Sequence, residues 1–216
     1  FTVGELTIGQ RYYLFVESGV NVEGTFRLCI NDFIAPPSPE ADCSDAVILC
    51  DDSSFQVENL ITSGNDPNEL DEFPDMCLTS EFSSSWYKWT CDDPGSLTFT
   101  LTPNNYIPGR ESDDLDFALF ELPNGLDDCS DKIMLRCMAS GANGSNGVTD
   151  PFEDWQECNG PTGLMLGDGD ISEAPGCQNG NNNFVEAIQM VEGRSYALVV
   201  MNYSGSGLGF SIDFGG

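Results

Sequence analysis

Apolar residues in this chain recur at every second position in short runs, and seldom at the three- and four-residue spacing of a helix. Tyr12, Leu14 and Val16 alternate in this way near one end, and Tyr196, Leu198 and Val200 near the other. Alternation of this kind turns one face of an extended segment toward a core. The same reading predicts strands at Ala46-Val47-Ile48-Leu49, Phe55-Gln56-Val57, Trp86 to Thr90, Leu97 to Leu101 and Leu115 to Phe120. Ile133-Met134-Leu135 is a shorter candidate. Asp93-Pro94-Gly95, Pro103-Asn104-Asn105 and Pro123-Asn124-Gly125 are turn signals between them. Eight to ten such strands predict an antiparallel β-sandwich. Residues 138–183, rich in Gly and Asn, read as long loops, and no amphipathic helix is visible.

The pattern also repeats. Gly9-Gln10-Arg11-Tyr12-Tyr13-Leu14-Phe15-Val16 aligns with Gly193-Arg194-Ser195-Tyr196-Ala197-Leu198-Val199-Val200. With no gap, Phe26, Leu28 and Ile30 then fall on Phe210, Ile212 and Phe214, a constant offset of 184 residues. Each copy reads as a β-hairpin whose strands are joined by a Gly-rich turn. The expected organisation follows: 1–35 as the closing hairpin of a preceding repeat, 36–41 as a stiff Pro-rich linker, and 42–216 as a complete repeat. A single domain with two similar hairpins is the alternative. A chain that starts at Phe1 fits a processed or excised segment.

Charge removes several classes of function. Seven basic residues stand against 36 acidic ones, a net charge of −29. Nucleic acid needs the opposite sign, and an anionic membrane surface is disfavoured for the same reason. No stretch is long and apolar enough for direct membrane insertion. Nine cysteines without one histidine point to disulfides in an oxidising, extracellular compartment rather than to zinc. Cys29 belongs to the first hairpin. Cys43, Cys50, Cys77, Cys91, Cys129, Cys137, Cys158 and Cys177 make an even set for four bridges, with Cys129–Cys137 and Cys158–Cys177 the expected local pairs.

The absence of histidine also removes the usual Ser-His-Asp triad and the usual partner of a nucleophilic cysteine. Hard cations are a better match. Asp113, Asp114 and Asp116 stand at a strand entry, and Asp66, Asn68, Glu69 and Asp71 form an oxygen-rich loop. Asp168 and Asp170 are interleaved with glycines. Clustered carboxylates on turns are candidate calcium ligands, with Asp114 and Asp116 the leading pair, although none has EF-hand spacing. Trp86 and Trp89 lie on opposite faces of their strand, so at least one belongs to the core. Trp155, in a loop, is the candidate platform for stacking on a glycan. Asn143-Gly144-Ser145 and Asn202-Tyr203-Ser204 match the N-glycosylation sequon, a short and common pattern.

The order of motifs is distinctive. It runs from Asp42-Cys43-Ser44-Asp45-Ala46 through Ser85-Trp86-Tyr87-Lys88-Trp89, Gly95 to Phe99, Asp114 to Phe120 and Arg136-Cys137. It closes with Gly193 to Val200 and Gly209-Phe210-Ser211-Ile212. This order resembles the repeated β-sandwich modules of large cell-surface and gliding-motility-associated adhesins of Bacteroidota, themselves similar to pre-peptidase C-terminal and CUB-like domains. The resemblance implies a jelly-roll or CUB-like sandwich, secreted to the cell surface. It implies a non-enzymatic structural or adhesive role in a long surface protein or filament; calcium, from the acidic clusters and not from the resemblance, is the one cofactor expected. Neighbouring repeats or identical subunits, and a surface glycan or solid substrate, are the expected partners. A glycan-binding or accessory module of a secreted hydrolase is the alternative.

Overall fold

The computed structural model describes residues 10–13, 15, 40–66, 69–70, 77–78, 80–145 and 148–216. The first hairpin copy apart from 10–13 and 15, residues 36–39 of the Pro-rich segment, Cys29, Asn68 and Asp71 lie outside the described residues. The chain divides into two compact units, Phe1–Ile30 and Asn31–Gly216, and the strands of the described residues lie in the second.

Its strands are β1 (Val47–Ile48), β2 (Phe55–Gln56), β3 (Ser84–Thr90), β4 (Gly95–Pro103), β5 (Leu115–Leu122), β6 (Ile133–Met138) and β7 (Gly144–Ser145). They continue with β8 (Val148–Thr149), β9 (Thr162–Met165), β10 (Ser172–Glu173), β11 (Phe184–Glu186), β12 (Ile188–Met190), β13 (Ser195–Asn202) and β14 (Phe210–Gly215). The stretches singled out by alternation between 46 and 135 and at 196–200 all contain strands, whereas residues 10–13 and 15 of the first copy are not in a strand and Leu14 and Val16 lie outside the described residues. Short 3-10 turns at Cys43–Asp45, Phe152–Asp154 and Gln156–Cys158 are the helical elements among the described residues.

The fold is an all-β sandwich of two sheets. One has the order β1-β3-β13-β5-β6-β10 and the other β11-β9-β4-β14-β2, with β12 also on β4. The long central pairings are antiparallel, whereas β1–β3, β6–β10 and β9–β11 are parallel. The β-sandwich expected from the sequence is therefore found, with parallel pairings added by its short outer strands. The reading of 138–183 as loops needs correcting, since β7 to β10 lie there. These strands of two to four residues lie among Gly- and Asn-rich turns, which hide them in the sequence.

The hairpin expected at the C-terminal copy needs correcting: β13 and β14 do not pair with each other but lie in different sheets, so the Gly-rich turn between them arches from one sheet to the other. β13 lies between β3 and β5, and β14 between β4 and β2. Tyr87, Trp89, Phe99, Leu101, Phe117, Leu119, Leu198, Val200, Phe210 and Ile212 pack between the sheets. Phe99 and Phe117 meet edge to face at 5.1 Å, the arrangement that aromatic quadrupoles favour.

The two sheets differ in what covers them. β4 alternates between core and partly exposed positions, as a strand with one solvated face should. Every residue of β13 is buried, and so are nearly all of β3 and β5. Their second face carries Trp86, Ala118, Phe120, Ala197, Val199 and Met201, which pack under Cys43, Leu70 and Leu78. The incoming chain thus forms a third layer over the first sheet. Cys43–Cys129 and Cys77–Cys137 fasten that cover to the sheet side of the molecule.

The cysteine pairing departs from expectation in two ways. Cys129 and Cys137 join Cys43 and Cys77 rather than each other, because the cover, remote in sequence, lies over them. Cys91 is a free, buried thiol, not half of a bridge; burial and the charges of Asp92, Asp93 and Glu192 push it up. Cys158 is joined to Cys177, and Cys50 is disulfide-bonded as well.

Candidate functional site

The entry to β5 concentrates buried acid. Asp113, Asp114 and Asp116 are 5%, 3% and 4% exposed, yet their carboxyls do not converge as a cation cradle would require. Asp113 turns to one side, where Oδ1 accepts from Asn105 Nδ2 at 3.0 Å. Its Oδ2 accepts from Asn202 Nδ2 at 2.8 Å and from the Ser206 hydroxyl. That carboxyl is spent on tying the β13–β14 turn to the loop before β5. Asn202 is fully buried by the same contacts, so its sequon presents no acceptor on the folded surface.

Asp114 faces the segment after β6. Its Oδ2 accepts the backbone N–H of Ala142 at 2.8 Å. A Cβ on Gly141, whose φ is +147°, would stand 2.1 Å from Asp114 Oδ1, so only glycine admits the contact. Burial pushes the Asp114 carboxyl well up, and the nearby charge of Asp116 adds to it against the opposing Ala142 hydrogen bond. Burial pushes Asp116 up as well.

Asp116 is the unsatisfied member. Its Oδ1 has no hydrogen-bond partner, although buried polar atoms are normally paired. Asp116 is among the residues that line a cavity of about 90 Å³. Ser80 and Pro175 in its lining are exposed, Phe82 and Tyr203 half-buried, and Met201 buried. Met201 stands opposite Asp116 in the β5–β13 register, and the Phe82 and Tyr203 rings are 5.9 Å apart.

A second buried carboxyl, Glu81, was not singled out by sequence pattern. Its Oε1 accepts from Ser84 Oγ and Trp86 Nε1, both at 2.7 Å, while Oε2 has no partner. Burial pushes it up to about 7, against the two hydrogen bonds and with the charges of Glu69 and Asp42 behind it.

The other predicted acids serve the chain's own turns. Glu69 accepts the Cys43 N–H with both oxygens, at 3.1 and 3.0 Å. Asp66 belongs to a turn held by Asp42, whose Oδ1 accepts the N–H groups of Asn65 and Asp66 at 2.8 and 2.9 Å. Burial works to raise Asp42, but these hydrogen bonds outweigh it and hold the carboxyl below its usual range. Asp168 accepts from Asp170 N and Asn182 Nδ2 on an exposed turn. Among the described residues no three Asp, Glu, Cys or His side chains form a group that could hold a metal ion. Trp155 is only 2% exposed and packs edge to face on Phe152. It offers no stacking platform, because the 152–158 turns fold it inward.

No family profile and no curated protein matches the sequence. Among solved structures, the chain is similar to the pre-peptidase C-terminal domain of collagenase from Bacillus anthracis, at 10% identity and a TM-score of 0.34, covering 82% of this chain and 97% of that one. It is similar to CorA, a surface-associated copper-binding protein of Methylomicrobium album, at 10% identity and a TM-score of 0.35, covering 82% and 96%. MopE, a copper-binding secreted protein of Methylococcus capsulatus, is 13% identical with a TM-score of 0.34, covering 76% and 84%. None is close enough to carry an argument about what this chain does.

Proposed function

We propose that this chain is a non-enzymatic structural or adhesive repeat of a long extracellular surface protein. The observation that carries the reading is the 184-residue repeat together with the place its second copy takes in the fold. Its two strands, β13 and β14, supply an inner strand to each of the two sheets. Two such strands have edges and apolar faces that need partners. Residues 1–35 therefore close a preceding sandwich as 193–216 close this one, and 36–41 space the two. The alternative organisation, strand exchange between separate subunits, meets the same need without a covalent array.

Three further features support an extracellular location. The described residues contain three bridges with both partners placed, which persist in oxidising compartments. No described helix is long and apolar enough to cross a membrane. A charge of −29 keeps neighbouring copies apart in a crowded surface layer. All three tryptophans are buried, so the glycan-binding alternative loses the stacking residue on which it rested.

The test is the denatured mass of the native material, measured with and without reductant. A reduced species far above 23.4 kDa is the expected result and means covalent repeats. A reduced species near that mass sinks the tandem array.

A further inference from the structure

We infer that residues 9–16 complete an uncovered sandwich, a module with the inter-sheet core of 42–216 but without its third layer, and that a second copy of 42–216 does not accept them. This partner rests on the repeat reading proposed above and chooses between the two organisations it leaves open. The two faces of the repeated strand differ. In β13, Tyr196, Leu198 and Val200 belong to the core between the sheets, and Ala197, Val199 and Met201 to the layer under the cover. At the constant offset of 184, the core face is kept residue for residue as Tyr12, Leu14 and Val16. The other face is not kept. Arg11 stands for Ser195, Tyr13 for Ala197, Phe15 for Val199 and Glu17 for Met201.

The covered layer of 42–216 depends on small side chains at those places. Ala197 lies between Lys88 and Phe120 in the register of the first sheet, and Val199 between Trp86 and Ala118. Trp86 and Phe120, on the two strands that flank β13, stack at 5.8 Å across it. Ala197 and Val199 beneath them have no exposed surface. A phenol ring in place of the Ala197 methyl and a phenyl ring in place of Val199 would enter a layer already filled, forcing side chains off their rotamers. A guanidinium at the buried Ser195 and a carboxylate at the buried Met201 would each take a charge out of water. The carboxylate would also stand opposite Asp116, acid against acid.

On a solvated sheet face the same four residues fit. Charges at the ends and aromatic rings between them suit a strand with one side in water and the other in the core. In the 216-residue chain Tyr13 and Phe15 are 86% and 83% exposed. The acceptor that matches this strand therefore repeats the core positions, and it carries no layer fastened as Cys43–Cys129 and Cys77–Cys137 fasten this one.

The test has two arms. In the full chain, Ala197→Tyr with Val199→Phe puts the first copy's rings into the second copy's seat and should lower Tm by about 10 °C or more. Tyr13→Ala with Phe15→Val, at exposed positions, should leave Tm within about 2 °C of native. A native Tm in the first variant overturns the inference. So does self-association of the native chain that protects residues 9–16 from hydrogen exchange, because a second copy would then be the acceptor. The other arm uses native material heavier than 23.4 kDa. Amide exchange at residues 9–16 should be at least about tenfold slower there than in the 216-residue chain, with Tyr13 still open to nitration by tetranitromethane. Equal exchange, or a Tyr13 closed to the reagent, overturns the inference and leaves the repeat standing. Failure of the repeat itself is read separately, from the reduced mass alone.

Discussion

Glu81 carries its carboxyl into an apolar layer, where the neutral form is favoured. In the unfolded chain it titrates near the ordinary value of 4.5, and in the fold near 7. Between those values the native state holds a proton that the unfolded state has released. Stability therefore falls as pH rises through the window, and the loss is complete above it. Asp114 and Asp116, also pushed up by burial, act in the same direction. The expected outcome is a higher Tm at about pH 5 than at about pH 8. Glu81→Gln, which keeps the acceptor for Ser84 and Trp86, should remove part of that slope; thermal melts of both proteins at the two pH values check it. An unchanged slope would mean that Glu81 is already ionised in the fold. At this scale the sequence was legible only in part. An acidic cluster at 113–116 could be read directly, but its burial could not, because the chain that buries it comes from segments far away. Trp155 illustrates the same limit, since a loop residue's exposure depends on how the loop folds back.

Elements were easier to read where one face is wet. β4, β13 and β14 declare themselves by alternation. The covered face of β3, β5 and β13 was less legible: a strand buried on both sides reads as a continuous apolar run whose second cover is unspecified. That cover is organised by the turn at 64–66. Gly64 has φ +74°, and a Cβ there would stand 2.1 Å from Asp42 Oδ1. Gly64→Ala should thus both strain the backbone and displace the carboxylate that accepts the Asn65 and Asp66 N–H groups, with a loss of about 1–3 kcal/mol. Urea unfolding of the variant measures it, and a value near zero would show that the turn contributes nothing to the cover.

For the molecule as a whole, the disulfides separate two jobs. Cys43–Cys129 closes a separation of 86 residues and Cys158–Cys177 one of 19. Loop-closure entropy makes the longer link the stronger constraint on the unfolded chain, by roughly 1 kcal/mol on a total of about 3–4. Replacing Cys43 and Cys129 by alanine should lower stability more than replacing Cys158 and Cys177, and should also raise solvent quenching of Trp86 fluorescence, since the cover lies over it. Equal losses in the two variants would contradict the entropic ranking. None of this long-range pairing was legible from spacing. Local neighbours such as Cys129 and Cys137 look paired in one dimension, and only the folded cover brings Cys43 and Cys77 to them.

The inner position of β14 has a mechanical consequence. A pull on the chain beyond Gly215 runs along that strand, and β4 and β2 grip it from both sides. The ladder to β4, which pairs Phe210 with Pro103 at one end and Gly215 with Thr98 at the other, is then loaded in shear. Its hydrogen bonds share the force instead of parting one after another. A tether built in this way would yield abruptly at high tension, while a strand at the sheet margin would peel away under a much gentler tug.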